Sequence, residues 1–338
     1  MKIILRADGN SNIGLGHFFR VLALAEILEG KFDCYIAISN PNDFIKEQVA
    51  SVGAKIIDLI ENPAEDYLDL HDYLKKGDIV IIDSYIFGNS YQKKIKERGC
   101  ILIHIDDTFE EYPHADGIIN HGIAATPDRY KNTLAKIFTG PDYGMLRKGF
   151  IQEARKKKVK NKFDTVFMCF GGADLQGLTY QYSDFIIKDI KQIKNIHILL
   201  SSSYKGNLEK FSVLSGSATI TIHQNLDSAQ IIHLMNSCDF ALISSSNIAY
   251  ECASTDLPMI IGYYTDHQRD FYGAIIKQSN VIGINYLQNV TAEILSAAIN
   301  ELIKQYDDDS PRLIDGLQGD RFISLFKSFT QKTTVLKA

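Results

Sequence analysis

The sequence predicts an α/β protein of two doubly wound domains, and three observations carry that prediction. The chain has 338 residues, more than most single hydrophobic cores hold. In both halves, short apolar runs alternate with segments whose apolar residues recur at helical spacing, the pattern of a buried parallel sheet covered by helices. The alternation breaks once, in the basic stretch 155–162, and restarts at Thr165. The boundary is placed there, giving domains over 1–155 and 156–338, with the basic stretch read as a solvated linker.

The first apolar run, 3–5, reads as a strand, and 18–28 reads as a helix. Between them lie Gly9, Gly14 and Gly16, then His17 where the turn becomes helix. Glycines let a backbone approach a ligand closely, and an opening helix offers unpaired N–H groups and a positive dipole end. This corner favours an anion or developing negative charge, with the His17 imidazole beside it as a candidate base. The spacing is not the dinucleotide fingerprint: Phe19 stands where a third glycine belongs, and no acidic residue fits the ribose position. An NAD site is not expected.

Further strands are read over 34–38, 55–59, 79–83 and 101–105, with helices near 41–52, 64–74 and 90–98. Ligands on such sheets bind past the carboxyl ends of strands, which selects Asp83, Ser84 and Tyr85, then Asp106 and Asp107, then Asn120 and His121. The alternatives are a helix cap for either aspartate and a packing ring for Tyr85. In the second half, strands are read over 165–170, 196–200, 218–222, 240–243 and 259–262. Their ends carry Gly171, Gly172 and Asp174, then Ser244, Ser245 and Ser246 ahead of a helix bearing Glu251, then Tyr264 to Gln268. Turn and cap chemistry explains each separately; their clustering on one sheet edge suggests a nucleotide site. The segment 308–338 carries an apolar stripe at Phe322, Ile323 and Phe326, and is expected to end in a helix returning to the first domain.

Hydrophobic content of 45%, 23% charged residues and a net charge of −5 are those of an ordinary globular protein. They give no general basis for nucleic-acid binding. The five cysteines are scattered without a C-x-x-C pair, as expected for buried thiols in a reducing compartment. No apolar run approaches membrane-spanning length, so a cytoplasmic protein without membrane insertion is expected. No spacing of His, Cys, Asp or Glu argues for a metal.

The motifs together resemble a known family, the UDP-2,4-diacetamido-2,4,6-trideoxy-β-L-altropyranose hydrolases of pseudaminic acid biosynthesis. The resemblance runs through most of the chain: Arg6 to Asp8, Ile13 to His17, Ile82 to Tyr85, Ile105 to Asp107, Gly140 to Arg147, Met168 to Asp174, Leu234 to Asn236, Ser244 to Glu251, and Gln268. It implies the GT-B architecture, two Rossmann-like domains facing across a cleft, similar to the peptidoglycan N-acetylglucosaminyltransferase. It implies His17 as general base, Tyr85 in the sugar site, Arg147 facing substrate, Gly171 and Gly172 near the diphosphate, and Glu251 on the ribose or nearby hydroxyls. Gly14, Gly16, Asp106, Ser245, Ser246 and Gln268 complete the expected substrate contacts. Where the family has Asn before Gln, this chain has His267, which replaces that Asn or lies in a loop one residue longer. The implied partner is a UDP-sugar, with no cofactor, no metal and no nucleic acid; the oligomeric state is not read. A transferase on the same site, or a non-catalytic sugar-nucleotide binder, are the competing readings.

Overall fold

The computed structural model describes residues 2–7, 15–60, 66–131, 133–160, 162–171, 173–174, 176–201 and 204–330. The chain divides into two compact units, 1–148 with 317–338, and 149–316.

In the first unit, β1 (Lys2–Ala7), α1 (Gly16–Leu28), β2 (Asp33–Ser39), α2 (Asp43–Ser51), β3 (Lys55–Leu59) and α3 (Asp66–His71) come first. Then follow β4 (Ile79–Asp83), α4 (Asn89–Glu97), β5 (Ile101–Ile105), β6 (Gly117–Asn120) and β7 (Lys136–Thr139). The strands form one parallel sheet in the order β3-β2-β1-β4-β5-β6-β7. Every residue of β4 is buried, so the central strand has no solvent face and its side chains are apolar on both sides, apart from its last residue. β7, a half-exposed edge strand, lacks such a run and was not legible in the sequence.

The second unit holds α5 (Lys148–Glu153), β8 (Thr165–Cys169), α6 (Leu178–Asp189), β9 (Asn195–Leu200), β10 (Thr219–Gln224) and α7 (Ser228–Ser237). It continues with β11 (Phe240–Ser244), α8 (Ile248–Ser254), β12 (Met259–Tyr263), α9 (Arg269–Ile275), β13 (Val281–Tyr286) and α10 (Ala292–Gln305). Its parallel sheet runs β10-β9-β8-β11-β12-β13.

The final helix, α11 (Gln318–Thr330), packs on the first unit, where Phe322 and Phe326 are fully buried. The Phe326 ring meets Phe32 at 6.2 Å and that of Phe322 meets Tyr143 at 5.9 Å.

Two details differ from the sequence reading. The division falls after Lys148 rather than at 155, because α5 buries Phe150 and Ile151 and its Glu153 is bonded to Asn236 of α7. The basic stretch is also no free solvated linker. Lys156 and Lys158 pair with Glu153, Lys157 pairs with Asp309, and Lys160 donates to the Cys238 carbonyl. Burial alone would raise the Glu153 carboxyl, but the bonds from both lysines and Asn236 outweigh it and hold it at about 2.

Candidate functional site

In the first unit the strand order reverses between β1 and β4, and ligands of doubly wound sheets sit past the carboxyl ends at such a switch point. Ala7 pairs with Asp83, so the end of β1, which leads towards α1, lies beside the end of β4. The opening of α1 carries no acidic residue and no side-chain cap. It places His17 and Arg20 three residues apart on one helix face, and both turn to Asp83.

His17 Nδ1 lies 2.6 Å from Asp83 Oδ1. Arg20 Nε donates to Asp83 Oδ2 at 2.6 Å, and Arg20 Nη2 donates to Oδ1. Arg20 Nη2 also lies 3.1 Å from His17 Nδ1. These two approaches to Nδ1 compete, since an arginine can only donate and a carboxylate can only accept. In the neutral ring the shorter contact assigns the hydrogen to Nδ1, which leaves Nε2 as the acceptor. Asp83 is wholly buried and the His17 side chain is 16% exposed, so the pair is held beneath the surface with the imidazole edge reaching it.

A second carboxylate extends the cluster. Asp107 accepts from Arg20 Nη1 at 3.0 Å and from the Tyr85 hydroxyl at 2.8 Å. The Tyr85 ring meets His17 edge-on at 4.8 Å. Burial would raise Asp107, but the Arg20 charge and these hydrogen bonds outweigh it and hold it below the ordinary range. Burial, then Asp107, push the Tyr85 phenol up to about 12, so its hydroxyl stays a donor. Desolvation alone would weaken the Arg20 charge; Asp83 and then Asp107 reverse that and raise it.

Asp106, expected among the substrate contacts, is turned away from that task. Its buried carboxylate accepts from Thr108 N at 3.1 Å, Thr108 Oγ1 at 3.0 Å, Phe109 N at 3.0 Å, the Tyr112 hydroxyl at 2.9 Å and the Tyr130 hydroxyl. Five donors leave little capacity for a ligand, and they tie the loop after β5 to Tyr130. Asp107 is the aspartate that joins the His17 cluster, through Arg20 and Tyr85. Gly16, expected to allow close approach, is the first residue of α1, and among the described residues nothing lies within 4 Å of where a Cβ would stand.

In the second unit the order reverses between β8 and β11. Gly171, just past β8, has φ +93°, and a Cβ there would come 3.1 Å from the Tyr264 hydroxyl, so glycine is required. Asp174 accepts from the first amides of α6, Leu178 N at 2.9 Å and Thr179 N at 3.1 Å. Two first-turn donors of α6 are thereby taken by a carboxylate. Ser245 is also turned inward: it is 2% exposed and its hydroxyl donates to the Gly262 carbonyl at 2.9 Å. Ser246 is half-buried, and its hydroxyl makes a long 3.5 Å bond to the Ser244 carbonyl. Glu251 lies in the first turn of α8, and its charge adds to the burial that raises the Cys169 and Cys252 thiols.

Gln268 closes the turn after β12, its side-chain oxygen accepting from Tyr264 N at 2.9 Å. His267 beside it is exposed, and Arg147 is half-buried just ahead of α5. Gly14 and Gly172 lie outside the described residues. All five cysteines are buried and unbridged.

The sequence reading assigned no role to Arg20, and left Asp83 and Asp107 as candidates only. The signal for Arg20 was its i, i+3 spacing from His17; that for Asp83 was a carboxylate ending an otherwise apolar strand.

No protein-family model matches the chain. Among curated proteins, it is 29% identical over 259 residues to the UDP-2,4-diacetamido-2,4,6-trideoxy-beta-L-altropyranose hydrolase of Campylobacter jejuni, covering 74% of this chain and 87% of that protein. It is 22% identical over 320 residues, 90% of each chain, to the spore coat polysaccharide biosynthesis protein SpsG of Bacillus subtilis. Among solved structures, MurG of Acinetobacter baumannii and the UDP-GlcNAc 2-epimerase of Neisseria meningitidis bound to UDP-GlcNAc each superpose with a TM-score of 0.63 at 11% identity. Each comparison covers 97% of this chain and 100% of the other. Among the described residues no helix is long and apolar enough to cross a membrane. Two parallel α/β units, each reversing strand order at its centre, and these neighbours together give the chain the two Rossmann-like domains of the GT-B fold.

Proposed function

We propose that this chain is a UDP-sugar hydrolase, releasing UDP and a free 2,4-diacetamido-2,4,6-trideoxy sugar by attack of water on the anomeric carbon with inversion, in nonulosonic (pseudaminic) acid biosynthesis. The observation that carries the reading is the Asp83–His17 pair at the switch point of the first unit, with Nδ1 engaged and Nε2 left basic. The similarity to the Campylobacter jejuni hydrolase supports it.

In this mechanism His17 Nε2 takes a proton from water as the water oxygen bonds to the anomeric carbon. The bond from that carbon to the diphosphate oxygen breaks, and its electron pair leaves with UDP. The leaving group is already a stabilised anion, so a base matters more than an acid, and no metal is invoked. Attack opposite the leaving group inverts the centre, as in inverting glycosidases. Asp83 fixes the tautomer and steadies the imidazolium, Arg20 holds Asp83, and Tyr85 lines the sugar site. Gly171, Ser246, Glu251 and Gln268 are assigned to the nucleotide side, Arg147 to the substrate, and His267 to the sugar side.

The test is UDP release from the purified protein and UDP-sugar, with the product anomer followed by NMR. Release without an acceptor and inversion are expected, with a loss in His17→Ala of about 10²–10⁴-fold in kcat. Release that survives this change removes the mechanism.

A transferase reading is favoured by one feature. Phe19 in the first turn of α1, Phe44 at the start of α2 and Ile86 just past β4 are 42%, 47% and 58% exposed, apolar surface suited to an acceptor. UDP release strictly dependent on an added acceptor selects it. Tight binding with no product over long incubation selects a sugar-nucleotide-binding protein.

A further inference from the structure

A base that takes a proton from water can take one from an alcohol, since both present the same O–H group. A hydrolase must therefore keep alcohols away from its base, and on the hydrolytic reading above Tyr85 is placed to do so. Tyr85 and Asp107 each lie three residues past a paired position, Ile82 of β4 and His104 of β5, so the register brings both out on one rim. The turn after β4, where Ser84 Oγ accepts from Ile86 N at 3.3 Å, carries Tyr85 clear of the core, and the residue is 65% exposed.

An exposed side chain is free to change rotamer, but this one is held at two points. Its hydroxyl donates to Asp107 at 2.8 Å, Asp107 accepts in turn from Arg20 Nη1 at 3.0 Å, and the ring meets His17 at 4.8 Å in the edge-on arrangement that aromatic pairs favour. Burial, then Asp107, push the phenol up to about 12, so the hydroxyl remains a donor and the hold persists at neutral pH. With the ring against it, the His17 side chain is 16% exposed. We propose that Tyr85 selects the nucleophile: its ring, pinned by Asp107, leaves room beside His17 for water and excludes the carbon that an alcohol carries on its oxygen. Refusing one extra methylene is worth about 10–200-fold in a shaped site. With the ring removed, a short alcohol takes the place of water. Its oxygen bonds to the anomeric carbon and its proton passes to His17, while the bond to the diphosphate oxygen breaks and that electron pair leaves with UDP. The product is then the alkyl glycoside instead of the free sugar.

The experiment is turnover of the UDP-sugar by the full chain in water containing methanol or ethanol, with free sugar and alkyl glycoside counted by NMR and UDP release followed in the same tube. In the unaltered protein the glycoside should fall at least about tenfold below the alcohol's molar share, a readout that needs no variant to fold. Tyr85→Ala should raise the ratio of glycoside to free sugar by about tenfold or more at whatever rate survives. Tyr85→Phe, which keeps the ring, should stay below Tyr85→Ala. Glycoside formed by the unaltered protein in proportion to the alcohol, a ratio unchanged in Tyr85→Ala, or equal ratios in the two variants overturns the proposal. Absence of UDP release from the unaltered protein, with and without alcohol, overturns the hydrolytic reading instead, so the two failures are told apart.

Discussion

At the scale of single residues, the candidate site is decided by which atom of each side chain is already engaged. His17 and Asp83 are both half of a pair, and the pair fixes the imidazole tautomer. Asp83→Asn should therefore lower kcat for UDP release by about 10³–10⁴-fold with little change in KM, because an amide N–H turned toward Nδ1 selects the wrong tautomer. Steady-state kinetics check this, and an unchanged kcat would remove Asp83 as the positioning group. Gly16 makes the opposite kind of case. No described residue meets a methyl group there, so Gly16→Ala should raise thermal stability by up to about 1 kcal/mol through helix propensity. If turnover falls while the melting temperature rises, the open space above Gly16 belongs to the ligand.

At the scale of elements, one carboxylate ties the loop after β5 to the segment between β6 and β7. Asp106 gathers two backbone amides and three hydroxyls, and Asn120 donates to the same Tyr130 hydroxyl at 2.8 Å. Removing the acceptor strands several buried donors at once, which costs about 1–3 kcal/mol for each left unpaired. Asp106→Ala should destabilise the first unit by about 3–5 kcal/mol and lose amide exchange protection at Thr108 and Phe109. Denaturant unfolding and hydrogen exchange measure both, and a neutral substitution would return Asp106 to the list of ligand contacts. Alternation of apolar runs announced this loop only as a place where strands end. That the first aspartate of the Asp106–Asp107 pair turns inward and the second outward follows from the tyrosines at 112 and 130, which no local pattern links to it.

At the scale of the whole molecule, two buried histidines couple the first unit to pH. Burial pushes His104 down to about 3, and burial followed by the Arg20 charge pushes His121 down to about 4. The His104 ring stacks on Tyr112 at 4.1 Å, and neither of its nitrogens has a hydrogen-bond partner among the described residues. Both rings stay neutral in the folded state, whereas the unfolded chain takes up a proton at each below pH about 6.5. Stability is therefore full above that value and falls as pH drops toward the folded values, by about 1.4 kcal/mol per pH unit for each histidine. His104→Phe, which keeps the stack, should flatten the loss of melting temperature between pH 6 and 4 by about half. A slope identical to that of the unaltered protein would show that His104 is protonated before unfolding.

The sequence by itself determined the class of fold, because buried parallel strands leave unbroken apolar runs and their helices a 3.6-residue period. It also pointed to the strand ends where the candidate site lies, through glycines, serines and carboxylates that interrupt those runs. It did not separate partners from near neighbours. Asp83 rather than Asp106 beside His17, Asp174 rather than a ligand at the start of α6, and Ser245 turned inward all depend on strand order and register, which bring residues tens of positions apart within a hydrogen bond. The half-exposed β7, and a division drawn at 148 by the packing of α5 rather than by charge, are tertiary outcomes for the same reason: burial is a property of neighbours, and the neighbours are chosen only when the sheets assemble.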